Sequence, residues 1–144
     1  MLLNKTGLFS SIVLSASLLV IPMVAHADLT IVNNTGENST SIINSGICSV
    51  ALPNDVGVTK ALKTNIVPQK TLDLVCFFHP NDCKADIFMN PPPAEGQKDT
   101  CIGFPIATVT FSTTTGVTAI QMRNHPTKHY KISGNGFHLT IDPM

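Results

Sequence analysis

Residues 8–24 form an almost unbroken apolar run behind a lone Lys5, and Ala25-His26-Ala27 follows as a small-x-small site. This is the pattern of a cleaved export signal, and it constrains the fold more than any other segment. It takes residues 1–27 out of the folded domain and sends residues 28–144 to an oxidising compartment, periplasmic or extracellular. A membrane span is the rival reading. The 17-residue run sits at the lower edge of a spanning length, and Ser10, Ser11, Ser15, Ser17 and Pro22 dilute it. No Lys or Arg follows until Lys60, so no stop-transfer charge is in place. Position 28 is Asp rather than Cys, which argues against a lipid anchor. The expected product is soluble, with no transmembrane segment.

The four cysteines, Cys48, Cys76, Cys83 and Cys101, all lie in the exported part. In that compartment the default is two disulfides. A zinc site wants close pairs that put two thiolates on one metal, whereas 27, 6 and 17 residues intervene here. A redox Cys-x-x-Cys is absent. The preferred pairing is Cys48–Cys76 and Cys83–Cys101, the second bridge closing the excursion through Asn90-Pro91-Pro92-Pro93. If the strands flanking that excursion form a direct hairpin, Cys83 and Cys101 fall at opposite ends. Cys76–Cys83 across Pro80-Asn81-Asp82 then competes.

Charge narrows the function classes. The whole chain has nine basic and nine acidic residues, and only Lys5 lies in the leader, so residues 28–144 carry 8 − 9 = −1. Nucleic-acid binding needs a basic excess to displace counterions and is not expected. In residues 28–144, six Phe and one Tyr, with no Trp, make one modest core and are thin for sugar-stacking platforms.

Short alternating or β-branched runs recur between Asn, Gly, Pro and Asp clusters, which predicts an all-β fold. Strands are expected at Leu29–Val32, around Ile47–Val50, at Thr71–Cys76 and Ala85–Met89, and at Ile106–Ser112, Val117–Arg123, Lys128–Ser133 and Phe137–Asp142. Glu37–Ser41 reads as a polar connector. Gly57–Val67 fits a helix by its Val58, Leu62 and Ile66 spacing, but its threonines favour extended structure. About eight short strands in one domain over residues 28–144 predict an antiparallel β-sandwich, with a barrel as runner-up. In the last hairpin, a Gly134-Asn135 or an Asn135-Gly136 turn gives the same parity. Tyr130, Ile132, Phe137, Leu139 and Ile141 face inward, and His129, Lys131, His138 and Thr140 outward.

That outward set defines the candidate site. With Arg123, His125 and Lys128 it makes the last quarter basic, a patch suited to an anionic ligand such as a lipid head group or glycan. The bland alternative is an ordinary solvated sheet face. His125-x3-His129 has helical metal-ligand spacing, but Pro126 and extended neighbours oppose a helix and no third ligand is nearby. No Gly-x-Ser-x-Gly is present. Asp73, Asp82, Asp86 and His79 supply acid–base groups without a geometry. No catalytic residue, metal or cofactor is expected.

The order Leu29-Thr30-Ile31-Val32-Asn33-Asn34, Ile47-Cys48-Ser49, Leu74-Val75-Cys76, Cys83-Lys84-Ala85-Asp86-Ile87 and Gly116-Val117 resembles small exported proteins of intracellular gammaproteobacteria. The resemblance implies a secreted β domain and no mechanism. Chaperone–usher pilins, similar in size and leader, end in a Gly…Tyr motif that Ile141-Asp142-Pro143-Met144 lacks. The reading is a secreted, non-catalytic, monomeric binding module for a partner protein or an anionic surface, of the kind an exported effector or virulence-associated protein would be. The alternative is an envelope or appendage subunit in which an edge strand such as Leu29–Val32 pairs with another chain. A small hydrolase comes last.

Overall fold

The computed structural model describes residues 27–144. The export signal expected over residues 1–27 therefore lies, except for Ala27, outside the described residues. These contain nine strands: β1 (Leu29–Asn33), β2 (Asn38–Ile43), β3 (Ile47–Cys48), β4 (Thr64–Val67), β5 (Cys83–Asn90), β6 (Ala107–Ser112), β7 (Gly116–Met122), β8 (Tyr130–Asn135) and β9 (His138–Pro143). One sheet has the order β4-β1-β9-β8 and the other β3-β2-β5-β6-β7, an all-β sandwich with no closed barrel. Among the described residues no helix is long and apolar enough to cross a membrane.

The strands pair antiparallel throughout, except that β1 and β9 run side by side in parallel, Ile31 opposite Leu139. Two strands far apart in sequence can pair this way because the chain between them supplies the long crossover that parallel pairing requires. The polar connector is β2, flanked by β3 and β5. Its Asn38, Ser39 and Thr40 are buried despite their polarity. Asn38 gives its amide to Asp99 (2.8 Å) and takes the Ala61 N–H (2.8 Å), and Thr40 donates to the Thr100 carbonyl (2.9 Å). Loops cross this strand, and their backbone groups need polar partners. The strand read at Thr71–Cys76 is the helix α1 (Gln69–Val75). Leu72 and Leu74 would share a face in a strand, but Leu72 is buried and Leu74 is 71 % exposed. The buried pair is Leu72 and Cys76, one helical turn apart.

The N-terminus of α1 has no capping side chain of its own. Asp28 fills that role from 41 residues away, its Oδ1 accepting the Gln69 N–H at 3.0 Å. The segment Gly57–Val67 resolves into a connection followed by β4, with Leu62 held at a φ of 60°.

The final hairpin turns at Gly136-Phe137, so Ile132 pairs with Ile141 and Gly134 with Leu139. This register is two residues further along than an Asn135-Gly136 turn would give. Gly136 takes a φ of 60°, which suits the first position of a two-residue hairpin loop. Because the shift is even, parity holds: Ile132, Leu139 and Ile141 are buried, while His129, Lys131 and His138 are exposed.

The disulfides are Cys48–Cys101 and Cys76–Cys83. The preferred pairing of Cys48 with Cys76 and Cys83 with Cys101 is not formed, and strand alternation is the reason. Cys48 sits opposite Ile42, and Ile42 opposite Asp86, on the outer face of the larger sheet. Cys83, three residues before Asp86, faces the interior with Ala85 and Ile87. Cys101 therefore meets Cys48 on the outside. Cys83 meets Cys76 under α1, as the hairpin register Cys83–Phe111 demands.

Candidate functional site

The core of the sandwich is divided. One buried cluster joins Ile87, Met89, Ile106, Val109, Ile132, Leu139 and Ile141. A second joins Val67, Leu72, Cys76, Cys83 and Phe111 at the end where α1 lies. Ile31 and Val117 touch both and remain only partly buried. Leu29, Ile43 and Ala85 also point between the sheets and keep part of their surface accessible. The space they share is an apolar crevice of about 100 Å³.

Its position follows from the strand lengths. On one side of the sandwich β7 and β8 are tied by a bridge between Val117 and Gly136. On the other side the edges are β3, two residues long, and β4, four residues long. Edges this short do not meet, and the crevice is walled there by Leu52, Val56, Thr71, Leu72 and Val75. The wall formed by β2 is different in character. Ser39 and Ser41 line the crevice at the positions facing Met89 and Ile87, and their hydroxyls make no hydrogen bond among the described residues. Nearby Ser49 is engaged differently: its Oγ accepts the Ser41 N–H (2.9 Å) and donates to the Gly57 carbonyl (2.5 Å). An apolar crevice with a few convergent polar groups is the usual form of a small-molecule site.

The basic residues read from the sequence are not gathered into one face. Arg123 lies over the outer face of the larger sheet, its Nε and Nη2 donating to Thr108 Oγ1 (3.0 and 2.7 Å), with Asp86 Oδ1 at 3.4 Å. Thr108 in turn donates to Asp86 at 2.6 Å. Lys128 is drawn inward to Glu37 (3.1 Å) and to the Met89 carbonyl. Tyr130 donates to the same Glu37 at 2.6 Å. Burial, then the hydrogen bond and charge of Glu37, push the Tyr130 phenol above its ordinary range. His125 Nδ1 accepts the N–H groups of Thr127 (3.1 Å) and Lys128 (3.0 Å), and its ring meets Phe104 edge-on. Among the described residues neither His125 nor His129 belongs to a group of three His, Cys, Asp or Glu side chains placed to hold a metal ion. Lys131 stands opposite Asp142 across the hairpin. His129, Lys131 and His138 remain exposed on the smaller sheet.

The carboxylates considered for acid–base work are also dispersed. Asp73 accepts from Gln69 Nε2 on the helix surface (2.8 Å), and Asp86 belongs to the Thr108–Arg123 group. The hydrogen bond and charge of Lys84 hold the exposed Asp82 carboxyl below its ordinary range.

Strand β1 is flanked by β4 and β9, so Leu29–Val32 is not an edge open to another chain. The sheets end at β4 and β8 in one and at β3 and β7 in the other, β7 and β8 approaching each other at the Val117–Gly136 bridge.

Sequence reading missed the crevice. Its only trace was the alternation Ser39, Ser41, Ile43, which the polar character of Glu37–Ser41 concealed.

The protein-family model described as "T2SS substrate NttC" matches residues 3–144. Among solved structures, the chain resembles the crystal structure of the Legionella pneumophila type II secretion system substrate NttC. The TM-score is 0.60 at 26 % identity, covering 83 % of this chain and 100 % of that one. No curated protein matches the sequence. Legionella is a gammaproteobacterium, in keeping with the resemblance read from the sequence.

Proposed function

Since the chain belongs to the NttC family of type II secretion system substrates and is an exported protein, we propose that it is a non-catalytic binding module acting outside the cell. It takes a small amphiphile, an apolar chain with an uncharged or weakly polar head, into the crevice between its sheets. The crevice itself carries this reading. It is apolar, it separates two otherwise compact core clusters, and it offers two serine hydroxyls and no charged side chain.

A volume of about 100 Å³ suits a short alkyl segment. A dry engineered cavity of about 150 Å³ in another protein takes up benzene.

A series of n-alkanols of increasing length tests the proposal, with methyl NMR shifts of Val109, Val117 and Leu139 as readout. Saturable shifts confined to the crevice-lining methyls are expected. Affinity rises about fourfold per methylene until the crevice is filled. Ser39→Ala with Ser41→Ala weakens the alkanol. Shifts spread over the surface, or none, reject the proposal.

A further inference from the structure

α1 and the disulfide-closed loop after it present three large apolar side chains to solvent. Leu74, Phe77 and Phe78 are 71 %, 69 % and 85 % exposed. The two rings touch edge to face, with centroids 5.2 Å apart. The backbone beneath them is braced. Cys76–Cys83 closes the loop, successive turns run from Leu74 through Asp82, and the Thr113 N–H and hydroxyl both reach the Pro80 carbonyl (2.8 and 3.3 Å). A loop held in this way cannot fold the rings back into the core, so it shows water a fixed apolar tip.

We infer that this tip seats in the interface of a lipid bilayer. Its area decides between the possible occupants. Two phenylalanines and a leucine at these exposures offer about 400 Å², roughly half of the ~800 Å² that each partner of a stable protein complex contributes. A bilayer needs no matching surface to accept side chains as exposed as these. Aromatic side chains are enriched at that depth. The rim does not select anionic lipid: Lys84 is paired with Asp82 at 2.9 Å, and Lys70 shares its helix with Asp73. The attraction is therefore apolar and weakly dependent on salt.

The chain contains no tryptophan, so Phe78→Trp gives a clean fluorescent reporter. With phosphatidylcholine vesicles its emission shifts to the blue, and lipids brominated near the head group quench it. In flotation assays Phe77→Ser and Phe78→Ser each lower partitioning by about tenfold. Adding phosphatidylglycerol or salt changes it little. The alkanol-induced methyl shifts persist in both serine variants, showing that they are folded and keeping this test separate from that of the crevice. An unshifted reporter overturns the inference. So does partitioning that survives loss of both rings, or binding only to phosphatidylglycerol vesicles that Lys131→Glu abolishes.

Discussion

The two disulfides differ in what they constrain, and this gives a quantitative prediction. Cys48–Cys101 closes a loop of sequence separation 53, while Cys76–Cys83 closes one of separation 7. In the chain-entropy model the first restricts the unfolded chain by about 4.2 kcal/mol and the second by about 2.4 kcal/mol at 25 °C. The relevant perturbations are the paired replacements Cys48→Ala with Cys101→Ala and Cys76→Ala with Cys83→Ala, which leave no stray thiol. The native-state term runs the other way, since Cys76 and Cys83 are buried and Cys48 and Cys101 only half-buried, so lost packing narrows the entropic gap without closing it. The long-loop variant should therefore be the less stable by roughly 1–2 kcal/mol. Urea unfolding followed by far-UV circular dichroism measures this. Limited proteolysis adds a local readout, since the long-loop variant should become cleavable within residues 91–105 and the short-loop variant should not. Equal losses, or a greater loss from the short loop, would refute the entropic reasoning.

Other features can be probed singly. Asp28→Ala removes the side-chain acceptor at the first N–H of α1 and should lower stability by about 1 kcal/mol, measured as a shift in urea midpoint at unchanged m-value. Gly116 has a φ of 88°, and a Cβ there would overlap the backbone of Gly136; Gly116→Ala should cost more than about 2 kcal/mol and broaden the NMR signals of β7 and β8. Tyr130 is the sole tyrosine, so absorbance near its phenolate band reports one group. Its folded-state pKa is raised above the ordinary 10.0, so the folded protein holds the proton longer than the unfolded chain. The stability it contributes is complete below about pH 10 and is lost as pH rises further. Tyr130→Phe should flatten that alkaline decline.

Parity was readable because it survives error. A hairpin register wrong by two still sends Ile132, Leu139 and Ile141 inward, since alternation has a period of two. The cysteine pairing was not readable, because it depends on which face Cys48 and Cys83 occupy, and only the tertiary register of β2, β3 and β5 settles that. The basic patch followed from local parity alone. Glu37 and Asp86, distant in sequence, claim Lys128 and Arg123. α1 was misread because Leu72, Leu74 and Cys76 alternate as a strand would, whereas Pro68 and the remote Asp28 carboxylate start a helix.

The crevice should show itself as a conflict between stability and binding. An unfilled volume of about 100 Å³ costs about 2.4 kcal/mol at roughly 24 cal/mol per Å³. Ala85 lies on β5 opposite Val109, half-buried and facing the crevice. Ala85→Leu would place three further carbons there. At about 0.8 kcal/mol per buried methylene, less about 0.5–1 kcal/mol of side-chain entropy, the variant should gain roughly 1.5 kcal/mol. It should also lose the alkanol response, since leucine occupies the site of the ligand's chain. A destabilised Ala85→Leu would mean the space is too tight for leucine, as overpacking predicts. A stabilised variant that still binds alkanol would place the ligand elsewhere. Gain of stability together with loss of binding is the outcome that a crevice kept open for a ligand produces, stability rising at the expense of function when a binding site is filled.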